Sequence, residues 1–118
     1  MTEVVGTDEF EAWYLSVDAQ DQDAVDYVVD LLIAKGVTLG FPYSSAITTA
    51  NFALRELRTQ SGGEPIRVFY AFDPERQAVL LIGGNKTGDD RFYERMVPLA
   101  ERIWRQYLQE QGHSGARR

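Results

Sequence analysis

Apolar residues recur at helical spacing in two segments near the N-terminus. Asp8 and Glu11 have the spacing of a capping box, which predicts a helix over residues 9–16. Asp18 has the features of a second N-cap, and the apolar residues that follow it recur at i, i+3, i+4 and i+7. Gly36 is the expected end of this second helix, because glycine adopts the conformation that terminates helices.

The pattern then changes to that of strands. Residues 52–58, 65–73 and 77–82 are rich in β-branched, aromatic and aliphatic side chains. Residues 73–76 (DPER) have Asp and Pro where a type I turn favours them. Short connections imply an antiparallel meander. Residues 4–5 add a possible edge strand, which gives a sheet of three or four strands.

Two polar segments and one long amphipathic segment complete the chain. Residues 36–51 and 83–90 are predicted loops, and the last helix is predicted from Asp89 or Asp90 to about residue 111, with a kink or break near Pro98. This segregated order predicts an α+β fold. Residues 1–111 are expected to form a single domain, and residues 112–118 a flexible tail.

Composition excludes several classes of function. The chain has 118 residues, 44% of them hydrophobic and 25% charged, which are values of a globular domain. It has no cysteine and one histidine, His113, which argues against disulfides, thiolate chemistry, His-rich metal sites and Ser-His-Asp catalysis. No apolar run approaches the ~18 residues of a membrane span, and the first residues lack a signal-peptide pattern. We therefore expect a cytoplasmic protein without a membrane partner.

The net charge of −6 is unevenly distributed. Residues 1–50 contain nine acids and one base, residues 51–95 contain seven of each, and residues 96–118 contain four bases and two acids. An acidic first half and a more basic second half are consistent with two different partners. The alternative is that the charges form solvated helix faces.

Arginines dominate the candidate chemistry. Alternation along residues 66–73 puts Ile66, Val68, Tyr70 and Phe72 on one face and Arg67, Phe69, Ala71 and Asp73 on the other. Both faces are largely apolar, which predicts a central strand, where the Arg67 guanidinium needs an anion or water. It either forms a structural salt bridge with Glu56 or binds phosphate on an open sheet face.

Arg55, Glu56 and Arg58 make the preceding strand unusually charged. Strict alternation puts Arg55 with Leu57 and Glu56 with Arg58, and because Leu54 and Leu57 then cannot share a face, we expect a bulge or a two-sided strand. Two or three arginines on one sheet face suit a polyanion. Since arginine cannot act as a base, proton transfer would fall to a second set of groups. These are Lys86, Tyr70, Tyr93, Glu56 or the substrate itself.

The glycine-rich segment 83–88 superficially resembles a phosphate loop. It fails the P-loop pattern, because Leu80 stands where the first glycine is required. We therefore expect no nucleotide cofactor, and the aspartates match no metal-binding pattern. Lys86 precedes a helix N-terminus, a reasonable place for a cation that meets phosphate, although an ordinary turn lysine would look the same. Phe92 and Tyr93 could stack on a base, with core burial expected for at least one of them.

Three motifs in order resemble a known superfamily. Residues 54–58 (LRELR), 66–70 (IRVFY) and 79–87 (VLLIGGNKT) are similar to those of the RelE/ParE toxins, most closely the HigB-like, phage-derived branch of type II toxin–antitoxin systems. The order of elements agrees from about residue 5 to residue 108. The resemblance implies a RelE-like fold for the whole domain.

The resemblance also implies an activity. Such proteins are metal-independent endoribonucleases that cut mRNA, typically in the ribosomal A site, and leave a 2′,3′-cyclic phosphate. By motif match, Arg58 and Arg67 would hold the phosphate, Lys86 would add a cation, and Tyr93 would act in stacking or acid–base catalysis. Further RNA-contact candidates are Arg55, Glu56 and Arg91.

The implied partners are mRNA, the ribosome and a cognate helix-turn-helix antitoxin, with no cofactor. Two alternatives remain open. A ParE-like protein would inhibit DNA gyrase by binding, without cutting RNA. A decayed toxin would have lost catalysis and would only bind its antitoxin.

Overall fold

The computed structural model describes residues 1–112. The predicted tail beyond Gly112, including His113, lies outside the described residues. Three α-helices, five strands and a short 3-10 helix over Gly36–Thr38 make up the described chain. In chain order the helices and strands are β1 (Val4–Gly6), α1 (Asp8–Ser16), α2 (Ala19–Lys35), β2 (Ser44–Ala46), β3 (Arg55–Ser61), β4 (Glu64–Phe72), β5 (Ala78–Asn85) and α3 (Phe92–Glu110).

The predicted α+β fold is confirmed, and so is the antiparallel meander of β3, β4 and β5. The sheet nevertheless has five strands rather than three or four, in the order β1-β5-β4-β3-β2, and it is mixed rather than antiparallel. β1 pairs in parallel with β5, and β2 lies within the predicted loop 36–51. The three residues of β2 are Ser, Ser and Ala, which carry none of the β-branched, aromatic or large aliphatic side chains that mark a strand, and this is why the sequence did not reveal β2.

Helices cover both faces of this sheet. The alternation along β4 directs Val68 and Tyr70 towards α1 and α2, whereas Phe69 and Ala71 face α3. This is the alternation that the sequence predicts, and it puts Arg67 on the α3 face. Each face has its own buried hydrophobic cluster. β4 is therefore central, because it has a strand hydrogen-bonded on each side and a packed cluster on each face.

Two strand boundaries differ from the prediction. β3 begins at Arg55 rather than residue 52, and β5 continues through Gly83 and Gly84, which were predicted to form a loop. A Cβ on Gly83 would overlap the Trp13 indole of α1, and one on Gly84 would come within 2.9 Å of the Phe92 ring of α3. These glycines therefore let helices approach both faces of the sheet closely.

The first long strand, residues 52–58, was expected to contain a bulge or to be two-sided. The second expectation is confirmed, because Leu54 and Leu57 belong to the hydrophobic clusters on opposite faces of the sheet. A register irregularity lies instead between β4 and β5, at Phe69 and Tyr70, where Leu81 is the extra residue of β5.

The N-cap of α1 is Thr7, not Asp8 as the capping-box spacing suggested. The Thr7 hydroxyl accepts a hydrogen bond from the Phe10 N–H at 3.1 Å and donates one to the Leu81 carbonyl at 2.9 Å. A carboxylate could not make the second bond, because it has no proton to donate. The predicted cap of α2 is confirmed, since Asp18 accepts from the Asp21 N–H at 2.9 Å.

The last helix begins slightly later than predicted and is not interrupted. Its N-cap is Arg91, while Asp89 accepts the Arg91 N–H at 3.1 Å and pairs with Arg95. α3 runs through Pro98 without a break. No helix in residues 1–112 is both long and apolar enough to cross a membrane.

Because the Thr7 hydroxyl satisfies two backbone groups at a buried position, we predict that Thr7→Val lowers the free energy of unfolding by about 2 kcal/mol. Thr7→Ser should preserve most of the stability. The solvent-exposed cap variant Asp18→Ala should cost about 1 kcal/mol. Urea unfolding of the three variants and the wild type measures these differences. Equal losses for Thr7→Val and Asp18→Ala would show that the bond to Leu81 contributes nothing.

Candidate functional site

Part of the α3 face of the sheet is left uncovered. α3 packs against β5 and β4, and polar side chains of β3 and β4 occupy the remaining area. The register pairs Arg58 with Arg67 and Glu56 with Phe69, so the two arginines are direct cross-strand neighbours. We call the group formed here the polar cluster. Its members are Ser45, Glu56, Arg58, Arg67, Lys86 and Tyr93.

Glu56 is the centre of the polar cluster and is only 4% exposed. One carboxylate oxygen, Oε1, accepts the Tyr93 hydroxyl at 2.7 Å and lies 3.7 Å from Arg67 Nε. The other, Oε2, accepts from Ser45 Oγ at 3.0 Å and from Arg58 Nη1 at 3.1 Å. Side chains from four separate elements thus converge on one buried carboxylate.

Arg67 is 6% exposed and incompletely satisfied. Its Nη1 donates to the Ile66 carbonyl at 3.0 Å and to the Thr59 carbonyl at 3.4 Å. Its Nε has no hydrogen-bond partner, and within residues 1–112 it is the one buried side-chain nitrogen or oxygen without one. The salt bridge with Glu56 therefore exists, but it leaves a buried guanidinium donor unused. An unused buried donor is unfavourable until an acceptor reaches it.

Tyr93 lies in the first turn of α3, half-buried over the cluster. Burial raises the pKa of Tyr93 above its ordinary value of 10.0, and the hydrogen bond to Glu56 raises it further, against a smaller opposing effect of Arg67. The phenol is therefore protonated throughout the neutral range. Lys86 Nζ lies 5.0 Å from the centre of the Tyr93 ring. The neighbouring Phe92 is buried against Phe69, as expected for one member of this aromatic pair.

Arg55 and Arg91 are not part of the polar cluster. Arg55 points to the opposite face of the sheet, where Nε donates to Ser44 Oγ at 3.0 Å and to the Tyr70 hydroxyl at 3.3 Å. The Arg91 guanidinium is exposed, 3.9 Å from the Glu94 carboxylate. The structure thus brings together Glu56 and the four residues expected to act in catalysis, and it places these two arginines elsewhere.

A cleft opens beside the polar cluster, at the edge of β3 beyond the end of β2. We call it the edge cleft. Its lining includes Tyr27, Pro42, Tyr43, Arg58, Gln60 and Arg67. Sequence reasoning missed its aromatic residues and also missed Ser45. Tyr27 belongs to α2, whereas Tyr43 and Ser45 lie in the predicted loop 36–51. In that loop the many hydroxyl groups were the only sequence feature that pointed to a site.

The chemistry of the polar cluster suits an anion. The polar cluster contains three cationic side chains and one carboxylate, which leaves a local excess of positive charge in a chain whose net charge is −6. Within residues 1–112 no three His, Cys, Asp or Glu side chains are grouped so as to hold a metal ion. Guanidinium groups and an ammonium group around a protonated phenol can bind a phosphate and supply a proton to it.

Comparison with known proteins gives a family. Residues 12–105 match the family described as phage derived protein Gp49-like. The chain is 35% identical over 109 residues to "Putative toxin HigB3" of Mycobacterium tuberculosis, covering 91% of this chain and 93% of that protein. It is 29% identical over 104 residues to "Putative toxin HigB2" of the same organism, covering 86% of this chain and 52% of that protein.

No solved structure matches the chain. The matches to known proteins extend across most of the chain. They confirm the resemblance to the HigB-like, phage-derived branch of the RelE/ParE superfamily, which rested on three short motifs. The chain therefore belongs to the Gp49-like family of phage-derived proteins.

Proposed function

We propose that this chain is the toxin of a toxin–antitoxin system and that it acts as an mRNA interferase. The two relatives named as HigB toxins support the first part. The observation that carries the second is the polar cluster, in which Arg58, Arg67 and Tyr93 converge on Glu56 and Lys86 Nζ lies 5.0 Å from the centre of the Tyr93 ring. Such a group is equipped to bind a phosphodiester and stabilise added negative charge on it.

In the proposed reaction the 2′-oxygen of one nucleotide attacks the adjacent phosphorus. The 2′-oxygen–phosphorus bond forms, the bond from phosphorus to the 5′-oxygen breaks, and a 2′,3′-cyclic phosphate results. The 2′-hydroxyl proton passes to a non-bridging phosphate oxygen and then to water. The leaving 5′-oxygen takes the Tyr93 proton, and the phenolate recovers a proton from solvent.

Each residue of the cluster has a role in this scheme. Arg58 and Arg67 bind the phosphate oxygens and neutralise the charge that grows in the transition state. Lys86 adds a third positive charge near Tyr93. Glu56 is too buried and too fully hydrogen-bonded to be the first contact of the substrate, so we assign it as a positioning residue that orients Arg58 and Tyr93.

The proposed partners follow from this activity. Messenger RNA is the substrate, in the cytoplasm and in association with the ribosome, and a helix-turn-helix antitoxin neutralises the toxin. The acidic α1 and α2 lie on the sheet face opposite the cluster, so a substrate approaching the cluster meets its arginines first. Opposed charge on two surfaces of one chain also favours two partners of different charge.

We predict that Arg67→Ala abolishes the growth arrest caused by expressing the chain without an antitoxin. Loss of a charged donor to the transition state should reduce mRNA cleavage by roughly 100-fold or more. Arg67→Lys, which keeps the charge but not the planar fork, should stay folded and cleave poorly. Mapping of mRNA ends in the induced cells measures cleavage, and the exposed Arg102→Ala on α3 is the matched control.

Two outcomes for the wild type would contradict the proposal. Growth arrest without new mRNA ends would indicate a protein target, as in gyrase inhibition. A folded wild-type chain that arrests nothing would leave antitoxin binding as its remaining function.

We predict that Tyr93→Phe lowers the single-turnover cleavage rate by roughly 100- to 10,000-fold while RNA affinity is nearly unchanged. Phenylalanine keeps the ring, so a role in stacking would survive this change, whereas a proton donor would be lost. Since the pKa of Tyr93 is raised, its contribution to the rate should not vary between pH 6 and pH 9. Cleavage of a defined RNA across that range tests both statements, and a fully active Tyr93→Phe would refute the acid role.

A further inference from the structure

We propose that the edge cleft is a binding subsite for one unpaired nucleotide of the RNA, next to the phosphate held by the polar cluster. This inference rests on the proposed function, because it identifies a part of that substrate and the residues that hold it. The base would stack on the ring of Tyr27 or Tyr43 and meet the other ring at its edge, and Arg58 would contact its phosphate.

The cleft exposes aromatic surface that the fold itself does not use. Tyr27 is 56% exposed and Tyr43 is 39% exposed. Their rings meet edge to face, with centroids 6.4 Å apart. Phe41, at 77% exposure, lies under the Arg58 guanidinium, whose carbon is 5.4 Å from the ring centroid. Aromatic faces at this exposure offer stacking surface to a base, whichever base it is.

The arginines connect the cleft with the proposed reaction site. Arg58 and Arg67 line the cleft and also belong to the polar cluster. The Arg67 side chain leans towards β3, as its bond to the Thr59 carbonyl shows. A phosphate held by these two guanidinium groups would therefore place one of its attached nucleosides at the cleft.

Charge favours RNA over a protein as the occupant. Within the described chain, both charged side chains that line the cleft are arginines, and one of them is buried with an unused donor. Stacking combined with guanidinium contacts is the usual way in which single-stranded RNA is recognised. An apolar protein surface over these two guanidinium groups would remove them from water without compensation, whereas a phosphate would offset that cost.

The test measures RNA affinity without cleavage. A fluorescent single-stranded RNA with every 2′-hydroxyl methylated cannot undergo 2′-oxygen attack, and its anisotropy reports binding to the purified chain. We expect the double variant Tyr27→Ala/Tyr43→Ala to bind roughly 10- to 100-fold more weakly. Tyr27→Phe/Tyr43→Phe keeps both rings and should bind within about 2-fold of the wild type. Leu15→Ala, which removes an exposed side chain from α1, is the matched control.

Each outcome decides the inference. Weaker binding by the alanine pair alone, with an unchanged unfolding midpoint, supports the subsite. Equal binding by all variants overturns it, while mRNA cleavage by the same wild type would leave the proposed function intact. If the alanine pair instead changes the oligomeric state in light scattering and keeps its RNA affinity, the cleft is a protein interface. A wild type that neither binds this RNA nor cuts mRNA refutes the proposed function as well.

Discussion

The polar cluster depends on a single buried carboxylate. Removing a carboxylate from water is costly unless donors replace the lost solvation, and Glu56 receives them from Ser45, Arg58 and Tyr93, with Arg67 at salt-bridge distance. These groups come from β2, β3, α3 and β4. The requirement to satisfy one charge therefore fixes the relative positions of four elements at the place where the arginines lie.

The carboxylate compensates only part of the cationic charge around it. Arg67 keeps one donor free, and Lys86 faces the Tyr93 ring rather than an acid in any contact that the structure describes. If acidic side chains neutralised all three cations, the cluster would be a purely structural ion-pair network. Buried donors in such networks are normally hydrogen-bonded. Under the proposed function an RNA phosphate would supply the missing negative charge, and the cluster would then bind substrate as well as hold the elements together.

The net charge of the chain is a poor guide to this site. Nine acids precede residue 51, mostly on or beside α1 and α2, whereas the cluster lies on the other face of the sheet. A layer of helix is about 10–12 Å across, which exceeds the Debye length of about 8 Å at physiological salt. Repulsion between those acids and the proposed RNA would therefore be largely screened at the cluster, and the local charge would govern its binding.

Sequence reasoning succeeded where the relevant pattern is local. The period of two along β4 identified Arg67 as a charge in a central strand, and the same rule separated Arg55 from Glu56 and Arg58. It could not say which face of the sheet would stay open, because that depends on where α3 begins. β2 and the edge cleft were missed for a similar reason, since each is formed by short segments that meet only in the folded chain.

The start of α3 explains why the site lies where it does. Phe92 and Tyr93 form the first turn, in which Phe92 enters the core against Phe69 and Tyr93 reaches Glu56. The bonds from Asp89 to Arg91 and Arg95 fix that turn. A helix that began one turn later would remove Tyr93 from the carboxylate. The helix thus begins where it can supply a phenol to the cluster.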